Sequence, residues 1–242
     1  MTANFDSGNE TVDFEKMSKD LLLRWMDNKE FLSNKDKGIL FKLGCECLDD
    51  IRTLYSINKA LVKTQEIFTD EDKNIELKIE DHKCTLVSDN EKMELEIVRL
   101  RELIIGMIDI LEKVLPLGTV VDLKKKYLSK HIRVNDVENI RIVITHRFLY
   151  HEDDTTYFPY AGVVYPIGMF DKMEIIHFTP ALIEKIVHTG FSDIQDEAYV
   201  YMMKEELILE KGMHSYGFST EEERDKLKNR IEQEGKKSND KS

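Results

Sequence analysis

Proline divides this chain. None of the first 115 residues is proline; Pro116 is then followed by Pro159, Pro166 and Pro180. Proline fixes its own φ, gives up a backbone donor and biases the residue before it away from helix. A long proline-free stretch can therefore stay helical. Tyr157 to Gly190, with three prolines and the glycines Gly162, Gly168 and Gly190, has to turn repeatedly. The architecture is expected to change near Leu115.

Before that point the apolar residues repeat at helical spacing. Thr11 to Asn28 carries Phe14, Met17, Leu21 and Trp25 on one helix face. Ser33-Asn34-Lys35-Asp36 has the form of a helix N-cap. Beyond it Leu40, Cys47, Leu54, Leu61 and Phe68 recur every seven residues, with Phe41, Leu48, Tyr55 and Val62 beside them. That predicts one long helix, broken at Thr69-Asp70-Glu71-Asp72. Ser88-Asp89-Asn90-Glu91 has the form of a capping box. It is expected to open a helix carrying Met93, Ile97, Leu100, Ile104, Met107, Leu111 and Val114 in unbroken heptad spacing. Lys73 to Val87 reads as helix or as a charged hairpin arm. Two long helices of this kind predict a coiled-coil-like helical hairpin. Its stripe either packs internally, docks the helices of a protein partner or forms a homodimer, and all three bury the same residues.

After Leu115 the pattern changes to strands: Thr119 to Leu123, Ile140 to Tyr150, Tyr157 to Val164 and Met173 to Phe178. Thr179-Pro180 is expected to start a single helical turn, and Ile186 to Thr189 a fifth strand. Ser192 to Gln195 forms another capping box, whose helix would reach about Lys211 with Gly212 as its C-cap. Thr220 to Glu223 opens a last polar helix, followed by a frayed tail. The fold class is therefore α+β, with a helical hairpin region followed by a small antiparallel sheet domain and flanking helices. The expected boundaries are 1–114, 115–212 and 213–242.

A net charge of −12 disfavours nucleic acid and anionic membrane surfaces, since both call for clustered positive charge. No apolar run approaches the roughly 20 residues of a bilayer span. The N-terminal residues carry no basic and apolar leader, so a cytoplasmic protein is expected. Cys45, Cys47 and Cys84 are odd in number and have no framework spacing, which fits reduced thiols. The motif search finds no catalytic, cofactor-binding or metal-ligating set: there is no phosphate-cradling glycine loop, no G-x-S-x-G and no H-E-x-x-H. The residues point to a non-enzymatic protein-binding chain. Tyr157, Phe158, Tyr160, Tyr165 and Phe170 crowd the turn around Pro166, either as a mini-core and turn staples or as exposed anchors for a protein partner. Gly168 is expected at positive φ in that turn.

One set of motifs has a family resemblance. LPLGTVV at Leu115–Val121, YAGVVYPIG at Tyr160–Gly168, a strand ending in Phe178 and the Gly190-Phe191 step follow one another in order. Over about residues 115–203 the chain resembles a small domain of unknown function from Gram-positive bacteria, encoded beside type VII (ESX-like) secretion loci and LXG-type toxins. Lys124 to Asn139 reads as an insertion relative to that pattern. In the resemblance Pro116, Gly118, Gly162, Pro166, Gly168, Phe178 and Gly190 are motif residues of structural type. It implies a cytoplasmic adaptor or targeting chaperone that binds a toxin's helical N-terminal region. An immunity protein for the toxin's C-terminal domain and a homo-oligomeric structural protein are the alternatives. The candidate partner-binding residues are Met93, Ile97, Leu100, Ile104, Met107 and Leu111 on the stripe, with Tyr160, Tyr165 and Phe170 at the turn.

Overall fold

The computed structural model describes residues 14–124, 140–169 and 175–239. They form helices and two mainly antiparallel sheets. Three short helices come first: α1 (Phe14–Asp27), α2 (Asn34–Glu46) and α3 (Arg52–Val62). Strands β1 (Ile67–Asp70), β2 (Ile75–Glu80), β3 (Lys83–Ser88) and β4 (Glu91–Glu96) then make a four-stranded meander, followed by α4 (Ile97–Leu111). The second sheet holds β5 (Val120–Leu123), β6 (Ile140–Tyr150), β7 (Thr156–Val164), β8 (Ile176–Phe178), β9 (Ile183–His188) and the two-residue β10 (His214–Ser215). Its order is β10-β7-β6-β5-β9, with β8 also paired to β7. Helices α5 (Ile194–Lys204) and α6 (Glu221–Asn239) complete the chain.

The long helical hairpin expected from the heptads is replaced by short helices and a sheet. Leu40 and Leu54 are both buried but lie on separate helices, and Phe68 is in β1. Lys73 to Val87, left open between helix and hairpin arm, supplies β2 and β3. The supposed capping box at Ser88–Glu91 is the β3–β4 hairpin turn. Asp89 and Asn90 there have φ of 49° and 64°. That pair of positive values is what a tight two-residue hairpin needs, and Asn and Asp tolerate it best after glycine. A capping box and a hairpin turn draw on the same residue types, so the local signal could not separate them. Other ends match the expectation. Ser33 accepts the Asp36 N–H at 3.2 Å, and Thr220 and Glu223 cap one another reciprocally at the start of α6.

The chain divides into two compact units. One runs to Glu112 and includes Ser192–Leu209; the other comprises Lys113–Phe191 and Glu210–Ser242. Helix α5, placed with the sheet domain by sequence, thus packs in the first unit. In that unit the buried side of the meander presents Ile75, Leu77, Ile79, Leu86 and Met93, and Glu76, Lys78, Glu80 and Glu94 are less buried in alternation with them. Helices α2, α3 and α4 contact those strands. Gly106 on α4 lets Trp25 of α1 approach so closely that a Cβ there would lie 2.1 Å from the indole. The second unit is built around Val121, Leu123, Ile140, Ile142, Ile144, Tyr160 and Phe178. Asp122 of β5, buried, faces Arg141 of β6 across the ladder. The guanidinium bridges both carboxylate oxygens at 2.8 and 3.2 Å.

Candidate functional site

The stripe residues proposed from the sequence are brought together inside the first unit. Met93 lies on β4, one strand before the helix it was expected to occupy. Leu100, Ile104, Met107 and Leu111 do share a face of α4 and are at most 1 % exposed. Ile97, in the first turn, is half-buried. Their spacing matches the packing of α4 against α1, α3 and the meander.

A buried lysine sits against the C-terminal end of α4. Lys204, at the end of α5, is buried and donates to the carbonyls of Ile110 and Glu112 at 2.7 Å each. These are carbonyls at and just past the helix end, so a lysine distant in sequence acts as the cap. Burial pushes the Lys204 ammonium down to about 8, opposed by the Glu112 and Asp109 carboxylates. Burial also raises Glu112, opposed by the hydrogen bond it accepts from the Tyr55 hydroxyl and by Lys204 itself. The cluster is a structural clamp between α4, α5 and α3.

The proline turn lies in the second unit. The Tyr165–Pro166 peptide is cis. Tyr165 N–H donates to Arg141 O at 2.9 Å and Gly168 N–H to Val164 O at 2.8 Å. Gly168 has a φ of 69°, as expected for a glycine in that turn. The turn presents Tyr165, Ile167 and Met169 to solvent at 53, 55 and 68 % exposure. Tyr160, its expected companion, is interior: it is 1 % exposed, packs on Phe178 and accepts the Leu115 N–H at 2.9 Å. Phe170 lies outside the described residues. Ile167 and Met169 are not aromatic and so carried no anchor signal of their own; their position beside Pro166 and Gly168 is what marks them.

The motif residues explain one another. Leu115 is held by the Tyr160 hydroxyl, and Pro116 is buried beside it. Gly118 has a φ of 78° and its N–H donates to Ile144 O at 2.9 Å. Thr119 Oγ1 accepts the Gly190 N–H at 3.0 Å, and a Cβ on Gly190 would lie 2.0 Å from Leu117 O. Gly162 leaves no more room, with a Cβ 2.2 Å from Val143 O. The Leu-Pro-Leu-Gly-Thr loop is therefore a lock that the lack of a side chain at the distant Gly190 permits, while Gly162 allows β7 to lie close against β6.

Such a loop, closing one end of a small antiparallel sheet with helical flanks, defines an α+β domain. Its particular kind is given by comparison: residues 114–199 match a family described as a domain of unknown function (DUF4176). No curated protein and no solved structure matches the chain. No helix among the described residues is long and apolar enough to cross a membrane.

Proposed function

We propose that this chain is a non-enzymatic cytoplasmic adaptor for a toxin exported by a Gram-positive type VII secretion system. It would bind the toxin's helical N-terminal region and hold it for targeting. The secretion setting is supported by the resemblance of the LPLGTVV and YAGVVYPIG motifs. The contact is supported by one observation: Tyr165, Ile167 and Met169 stand exposed together on a hydrogen-bonded turn of the family-matched domain. Apolar side chains on a fixed turn can be desolvated by a partner with little ordering cost. The α4 stripe, first considered for this role, is occupied inside its own unit and is left to stability.

The test is co-expression of the tagged chain with the two halves of the neighbouring toxin as separate fragments. Capture of the N-terminal half, lost in a Tyr165→Ser/Ile167→Ser/Met169→Ser variant with an unchanged melt, is the expected result. Capture of the C-terminal half alone would replace this reading with an immunity role.

A further inference from the structure

The second unit contains a cavity that the adaptor reading does not use. It measures about 330 Å³ and opens between the β6–β7 hairpin and helix α6. Helix α6 is fixed over the hairpin by polar contacts. Arg230 grips both oxygens of Asp154 at 2.7 and 2.6 Å, Lys226 donates to the Asp153 carbonyl, and Thr155 donates to Glu223. Three such ties hold the helix at the hairpin without filling the space beneath it. The cavity is thus bounded by a held wall.

Its lining mixes apolar and aromatic side chains with the polar Tyr150, His151 and Thr156 and the Asp154–Arg230 pair. Leu149, Phe158 and His177 come from the sheet, with Leu227 and Ile231 from the helix. Phe158 is the middle ring of a stack, 5.1 Å from His177 and 4.3 Å from Tyr216. Aromatic pairs are favoured at roughly these separations, about 4.5–7 Å, so the sheet side of the cavity already carries stacked rings, with His177 as the ring of that stack not enclosed between two others. The carboxylate and guanidinium in the lining, Asp154 and Arg230, are paired with each other. Burial lowers His177, with His146 adding to the effect, which favours the neutral imidazole. The volume lies at the low end of small-molecule pockets, about 300–1,000 Å³, which suits one ring system better than a nucleotide. Ile231, 58 % exposed at the lip, gains burial when the cavity fills.

We propose that this cavity is a binding site for an uncharged aromatic group of the size of a single indole or phenol. The group belongs either to a free small molecule or to the side chain of a bound protein. The site stands whether or not the proline turn engages a toxin.

The experiment is a methyl-NMR titration of the full chain with indole, with N-acetyl-tryptophanamide and with cyclohexanol. Saturable shifts of the Leu149, Leu227 and Ile231 methyls are expected with indole in the low-millimolar range. Equal shifts with N-acetyl-tryptophanamide assign the site to a side-chain anchor; shifts with indole alone assign it to a free ligand. Leu227→Trp, which fills the space, should weaken the response at least tenfold, and Ile231→Ser should weaken it without touching the sheet. Absence of saturable shifts overturns the proposal. So does an equal response to cyclohexanol, or a response unchanged in both variants.

Discussion

Gly106 and Gly38 are both helical glycines, and the physics of their surroundings sets them apart. A Cβ on Gly106 would enter the Trp25 ring, whereas one on Gly38 meets nothing within 4 Å. The indole is buried and has no room to swing away. Gly106→Ala should therefore cost about 1–3 kcal/mol by overpacking. Gly38→Ala should be stabilising by about 0.5–1 kcal/mol through helix propensity. Urea midpoints of the two variants check this, and equal midpoints would refute the close approach. Tyr160 poses a second question at this scale. Its hydroxyl is the partner of the Leu115 N–H, so Tyr160→Phe should cost about 1–3 kcal/mol with no change in shape, measured as a lower melting temperature. The sequence placed Tyr160 at a turn because it adjoins Gly162 and Pro166. Its tie to Leu115 joins residues far apart in the chain, and no local pattern encodes that.

Among elements, α4 was legible in its face and misread in its start. The heptad of Leu100, Ile104, Met107 and Leu111 is there because α4 has one buried side. The extension to Met93 failed because a buried strand position falls by chance on the same count. Similarly, Leu40 to Phe68 kept its seven-residue rhythm across two helices and a strand, since buried positions recur in any packed element. The turn at Asp89-Asn90 was the missed signal, and a β reading of Ile75-Leu77-Ile79 by alternation would have supported it. Lys204 ties α5 to the end of α4 and is sensitive to pH. Its folded value of about 8 lies below the ordinary 10.5, so the unfolded chain binds the extra proton between those pH values. Stability from this group is therefore present above 10.5 and lost as pH falls through about 8. The unfolding free energy of the parent minus that of Lys204→Met, from urea titrations, should rise by on the order of 3 kcal/mol from pH 7.5 to 10.5. A flat difference would mean the ammonium is solvated.

At the scale of the whole molecule the two units interleave along the chain. The first takes Ser192–Leu209 back after the second has begun, and the second takes Glu210 onward after that. The change expected near Leu115 lies close to the Glu112/Lys113 division, but strands stand on both sides of it, β1 to β4 before and β5 onward after, and the units are not the consecutive blocks of the sequence expectation. Nothing local marks α5 as returning, because the polar residues that tie it to α1, namely Arg24 to Tyr201 and Glu205, look like any solvated helix surface. The family-matched span, residues 114–199, follows neither unit. It stops within α5 and omits β10 and α6, which pair with β7 and hold the β6–β7 hairpin. A fragment of residues 114–199 should therefore leave one end of β7 unpaired and melt at lower temperature, and less cooperatively, than a fragment of residues 113–239. Differential scanning calorimetry of both fragments decides the matter. Equal cooperative transitions would show that β10 and α6 are accessories and that the matched span folds alone. A transition present only in the longer fragment would make the C-terminal segment part of the domain's minimal folding unit.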